Sequence, residues 1–179
     1  SRGLGDVYKR QVTCTVTLAN NTGFTTNLPA IPTSVLSTSG QTAGKTPFTI
    51  QVTGCSGNNS AGVAISQAVP YFDVSSANID QTNGNLKNTF TTAGNDIAAT
   101  NVELQLLDGG TNGQVLLNQA WGGGPGVTMP TATQGQKVTP QTLTSGAASF
   151  NFYVQYVATS GSPTVGSVYS SVPLIMQYN

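Results

Sequence analysis

The sequence predicts a single all-β domain. Three observations carry the prediction. Apolar residues alternate with Thr, Gln and Asn in short runs, Gly, Pro, Asn and Ser cluster between those runs, and no long segment carries a helical period. A chain of 179 residues is long enough for one ordinary core and short for two.

The elements come in order along the chain. Val12, Cys14, Val16 and Leu18 alternate with Thr13, Thr15 and Thr17, the pattern of a half-buried strand. Leu28 to Lys45, with Pro29 and Pro32, reads as loop or short edge strands. Phe48, Ile50 and Val52 then alternate with Thr49, Gln51 and Thr53 and lead to Cys55. Val63 to Ile65 and Val69 to Val74 are short strand candidates, followed by an Asn/Gly-rich stretch from Asn78 to Asn95. Val102, Leu104 and Leu106 alternate again, and Asp108-Gly109-Gly110 turns the chain toward Val115–Leu117, a predicted hairpin. Gly122 to Gly126 reads as a flexible loop. Phe150, Phe152, Val154 and Tyr156 line one face of a strand, and Val172, Leu174, Met176 and Tyr178 one face of the last. About seven short strands at such intervals point to an immunoglobulin-like sandwich.

Composition narrows the function classes. Only 7% of residues are charged, against about a quarter in an average globular protein. A surface wetted by hydroxyls and amides suits packing against copies of the same chain. The few bases include Arg2, Lys9 and Arg10 at the extreme N-terminus, so no basic patch remains for nucleic acid. No apolar run approaches the roughly 20 residues a membrane span requires, so no membrane insertion is expected. Two widely spaced cysteines, Cys14 and Cys55, do not make a zinc site. One disulfide formed in an oxidising compartment is favoured over two buried thiols, and would contribute roughly 4 kcal/mol.

Residues 1–11, SRGLGDVYKRQ, match neither the composition nor the rhythm of the remaining chain, and lack the apolar stretch of a signal peptide. They read as a non-native segment ahead of a domain spanning 12–179, with the natural N-terminus missing.

Three stretches then carry a resemblance. The first runs from Cys14 to Cys55, the latter introduced by Phe48-Thr49-Ile50-Gln51-Val52-Thr53-Gly54-Cys55. The second is Ala99-Thr100-Asn101-Val102-Glu103-Leu104-Gln105-Leu106-Leu107-Asp108. The third is Phe150 to Tyr156 with Ala158-Thr159, Val165-Gly166 and the closing Met176-Gln177-Tyr178-Asn179. In this order and spacing the chain resembles the chaperone–usher fimbrial major subunits, the type 1-like pilins.

The resemblance implies an incomplete immunoglobulin-like sandwich lacking its last strand. The resulting apolar groove is expected to be filled first by a periplasmic chaperone and then by an N-terminal strand of a neighbouring pilin subunit, at an outer-membrane usher. Strand addition of this kind draws affinity from backbone hydrogen bonds and register from alternate side chains. Burying five such side chains at roughly 1.5–3 kcal/mol each supplies about 7–15 kcal/mol before ordering costs. By the same resemblance Val172, Leu174, Met176, Tyr178 and Asn179 border the groove and meet the chaperone. The location implied is a fimbrium on the bacterial surface, reached through the periplasm, supporting cell adhesion. Because SRGLGDVYKRQ does not alternate, the chain as it stands is expected to accept a donor strand without offering one.

Catalytic chemistry is not expected. The chain has no histidine, which removes His-based triads and imidazole metal sites, and no cofactor is implied. A pair among Asp73, Asp80, Asp96, Glu103 and Asp108 could meet as in a glycosidase. The favoured reading places Asp80 and Asp96 in loops, Asp108 in a turn, and Asp73 and Glu103 on solvent faces. Gly40 to Thr46 imitates a phosphate loop with one residue too few between its glycines and a strand, not a helix, after it. Trp121 is read as packing over a sandwich end or a subunit contact more readily than stacking on a sugar. Two rival readings stay open: a minor adaptor or tip-associated pilin, and a carbohydrate-binding β-sandwich module.

Overall fold

The computed structural model describes residues 12–121 and 128–179. The N-terminal segment 1–11 and the predicted glycine loop, 122–126, fall outside the described residues. Among the described residues eight strands form two antiparallel sheets: β1 (Thr13–Leu18), β2 (Thr42–Ser56), β3 (Gln67–Phe72), β4 (Leu86–Lys87), β5 (Val102–Asp108), β6 (Gln141–Thr142), β7 (Ala148–Ala158) and β8 (Leu174–Tyr178). One sheet has the order β1-β2-β7-β5-β4 and the other β6-β3-β8. The fold is the predicted all-β sandwich, of immunoglobulin-like type. Among the described residues the only helix is a single 3-10 turn, Thr33–Leu36, within the predicted proline-rich loop.

The long strands β2 and β7 form the backbone of the larger sheet. Phe48 faces Phe152 and Ile50 faces Phe150 in register, with Leu18 of β1 opposite Ile50 and Leu106 of β5 opposite Val154. These rows of inward side chains are the cross-strand pairs that hold such a sheet. Across the sandwich, Phe72 of β3 meets Phe152 edge to face. Pro70 sits inside β3 opposite Met176 of β8. It is tolerated because β6 pairs only with Gln67 and Ala68, leaving no partner to require a donor at position 70.

Several elements differ from the sequence reading. Val63–Ile65 forms no strand; only an isolated bridge joins Ala64 to Asn58. The hairpin after β5 starts as predicted, with the Val115 N–H bonded to Leu106 O at 2.8 Å. It then leaves the sheet, because Val115 and Leu117 are drawn wholly into the core. β5 is buried on both faces, not one. Its second face carries Glu103, Gln105 and Leu107, and the 80–85 turn covers Glu103.

Two acids are also placed differently. Asp108 is a turn residue but a buried one, only 2% exposed. Its carboxylate accepts hydrogen bonds from Thr111 N, Thr139 N and Thr139 Oγ1 at 3.0, 2.9 and 2.6 Å. Glu103 is buried as well, not on a solvent face, because the 80–85 turn folds over it.

Candidate functional site

The two sheets part along one side. Among the described residues β1 pairs only with β2, and β8 only with β3, so each presents a free edge. Between these edges runs a groove of about 710 Å³. Val16 and Leu18 form one wall and Leu174 and Met176 the other. Phe48, Ile50, Leu104, Leu106 and Val154 of the larger sheet form the floor together with Phe72.

The local sequence explains the walls. In β1 every second residue points inward, so Val16 and Leu18 face the groove while Thr15 and Thr17 face solvent. In β8 the exposed Ile175 separates Leu174 from Met176, which both pack on the core while remaining half-buried. Phe48, Val16 and Val172 are half-buried in the same way. Contiguous apolar surface left open between two free strand edges invites an added strand.

Segments 24–28 and 168–173 complete the lining of the groove. Tyr156 reaches under the first of these and donates its hydroxyl to Pro29 O at 3.0 Å. Burial pushes the Tyr156 phenol above its ordinary value. No charged side chain lines the groove among the described residues. Its chemistry is therefore apolar contact plus main-chain hydrogen bonding at the edges.

The disulfide joins Cys14 to Cys55 with Cα atoms 4.3 Å apart, beside the bulge between Thr13 and Thr15. It fastens β1, hence one groove wall, to β2. Of the C-terminal residues assigned to the groove edge, Val172, Leu174 and Met176 line it. Tyr178 lies past the lining, paired with Ala68 and packed on the core, and burial pushes its phenol up. Asn179 closes the strand: its N–H donates to Gln67 O, and its carbonyl accepts from Ser66 N and Gln67 N. The sequence reading missed the 24–28 and 168–171 segments as walls. Phe24, Leu28 and Val168 were the available apolar markers, but they fall outside any strand period.

Asp80 and Glu103 approach one another, bridged by Asn83 Nδ2 at 3.2 and 2.8 Å. Asn85 Nδ2 adds a further donor at 3.3 Å on the same Glu103 oxygen. The pair is spent on holding the 80–85 turn to β5. Burial, with the Asp80 carboxyl beside it, pushes Glu103 up, while the Thr82 hydroxyl holds Asp80 down. Neither residue lines the groove. Trp121 packs against the main core. The stretch from Gly40 to Thr46 runs into β2.

Residues 4–179 match the model of a family described as fimbrial protein. The chain is 39% identical over 167 residues to the major fimbrial subunit SMF-1 of Stenotrophomonas maltophilia, covering 93% of this chain and 85% of that protein. It is 32% identical over 166 residues to the F17 fimbrial protein of Escherichia coli, covering 93% and 80%. Among solved structures, an antigen and type I fimbria protein of Burkholderia pseudomallei matches with a TM-score of 0.48 and 18% identity, over 94% of this chain and 99% of that one.

Proposed function

The chain belongs to the fimbrial protein family, and from that premise we propose that its groove receives a β-strand from a neighbouring subunit. It is a structural subunit of a bacterial surface fimbria, and polymerisation is its work. The observation that carries the mechanism is the uncharged apolar groove between the free edges of β1 and β8. A strand laid there hydrogen-bonds to an edge and sends alternate side chains onto Phe48, Leu104 and Leu106. In this reading the chain has no catalytic role. A periplasmic chaperone first covers the same groove along β8, with Val172, Leu174, Met176, Tyr178 and Asn179 at its edge, and an outer-membrane usher then exchanges it for the incoming subunit.

Met176 supplies the test. Met176→Asp places a charge on the groove wall. Fimbriae seen by electron microscopy on cells expressing the complete gene should disappear. In the purified domain, a peptide of alternating apolar residues should raise the melting temperature, saturably, and M176D should abolish that rise. Normal fimbriae on M176D cells, or a rise that M176D leaves unchanged, overturns the reading.

A further inference from the structure

The sequence holds two Asn-Gly steps, Asn83-Gly84 and Asn112-Gly113, and the fold restrains the first more tightly than the second. Such a step is open to cyclisation because glycine has no side chain to crowd its backbone nitrogen as it closes on the asparagine amide. At Asn83 every participant is held. Nδ2 donates to Asp80 and Glu103, Oδ1 accepts from Asn85 N at 2.9 Å, and the buried Gly84 donates its N–H to Asp80 O at 2.8 Å.

Asn112 is exposed, in the turn after β5, with φ 60°, and the exposed Gly113 donates its N–H to the Thr111 hydroxyl at 3.1 Å, a surface contact that water can replace. Its side-chain oxygen accepts a hydrogen bond from Lys45 Nζ at 2.7 Å. Lys45 is well placed to keep that contact. It lies in the bulge of β2 where the register with β7 shifts between Ala43 and Thr46, and its ammonium sits 4.3 Å from the centre of the Tyr153 ring. A cation on the amide oxygen draws electron density from Cγ and stabilises the oxyanion that forms when Cγ is attacked.

We propose that Asn112 is a site of spontaneous deamidation assisted by Lys45. The Gly113 nitrogen loses its proton to water and bonds to Asn112 Cγ. The Cγ–Nδ2 bond breaks, and ammonia leaves after taking up a proton. Water then opens the cyclic imide at either carbonyl, giving aspartate or isoaspartate with no electron transfer. Either product sets a carboxylate against the Lys45 ammonium. Isoaspartate also adds a backbone carbon to the Asp108–Gly113 turn, closed by the bond from Asp108 N to Gly113 O at 2.9 Å.

The test is a timed incubation of the folded protein near neutral pH, followed by trypsin and mass spectrometry. Cleavage after Lys87 puts Asn83 and Asn112 on separate peptides. The Asn112 peptide should gain about one dalton several-fold faster than the Asn83 peptide. Lys45→Met should slow that gain several-fold, and urea should narrow the difference between the two sites. Equal rates in the folded protein, a K45M rate equal to the native one, or a Lys45–Asn112 cross-link formed with loss of ammonia would each overturn the proposal.

Discussion

Phe152 lies stacked on Phe48, ring centroids 5.2 Å apart and planes inclined by 15°. It also meets Phe72 in a T-shaped contact, centroids 5.8 Å apart. Phe48 and Phe72 line the groove, while Phe152 is 1% exposed and sits beneath them. One buried ring therefore supports two groove-lining rings from opposite sheets.

Phe152→Ala should cost about 3–5 kcal/mol, the range for truncating a buried aromatic, as read from urea denaturation. Phe48→Ala should cost less in the isolated domain, because its ring is only half-buried. A loss from F152A no larger than that from F48A would show that the stack does not support the groove floor.

Removing the disulfide should be felt at the groove wall. The double substitution Cys14→Ser and Cys55→Ser opens a loop of sequence separation 41 and should lower stability by roughly 4 kcal/mol in the chain-entropy view. Since β1 pairs only with β2 among the described residues, hydrogen exchange should rise first in Thr13–Leu18. Uniform protection loss across β1, β2 and β7 would contradict this.

Asp108 should prove a structural anchor. Asp108→Ala leaves two backbone N–H groups and the Thr139 hydroxyl without their acceptor. A cost of about 3 kcal/mol or more is expected for removing a buried charged acceptor, measured by thermal or urea unfolding. A change within about 0.5 kcal/mol, typical of a surface position, would refute the role.

The carboxyls predict a pH dependence of two signs. Folded Glu103 holds its proton more tightly than unfolded Glu103. The stability it contributes is full below the unfolded value of about 4.3 and is lost as pH rises through the folded value. Asp80 and Asp73 are held low by the side chains of Thr82 and Ser75. Their contribution is present above about 3.9 and is lost as pH falls through the folded values. Glu103→Gln should therefore be more favourable relative to the native chain near pH 7 than near pH 4. Asp80→Asn should be more damaging near pH 7 than in acid. Melting temperatures at the two pH values check both, and an E103Q difference independent of pH would contradict the assignment.

The strands legible in the sequence were those whose apolar residues alternate with polar ones. Thr13–Leu18 and Leu174–Tyr178 alternate cleanly because each fronts the core on one side and solvent on the other. The alternation also marked which side chains of those strands point inward, and so most of the groove's two walls. What stayed illegible depends on tertiary cover. Glu103 looked solvent-facing because its strand alternates, yet the 80–85 turn closes over it. Val115 and Leu117 looked like a strand, but beyond the bond from Val115 N to Leu106 O the segment leaves the sheet and both side chains enter the core. Segments 24–28 and 168–171 reach the groove through loops, where no period marks them.

The absence of charge from the groove walls has a consequence for where such a filament can work. Attraction between ions weakens in brine, whereas apolar contact does not, and sulfate or phosphate strengthens it. On the proposed reading, subunit joints in this groove hold in briny or strongly buffered surroundings, because nothing along its walls relies on paired charges.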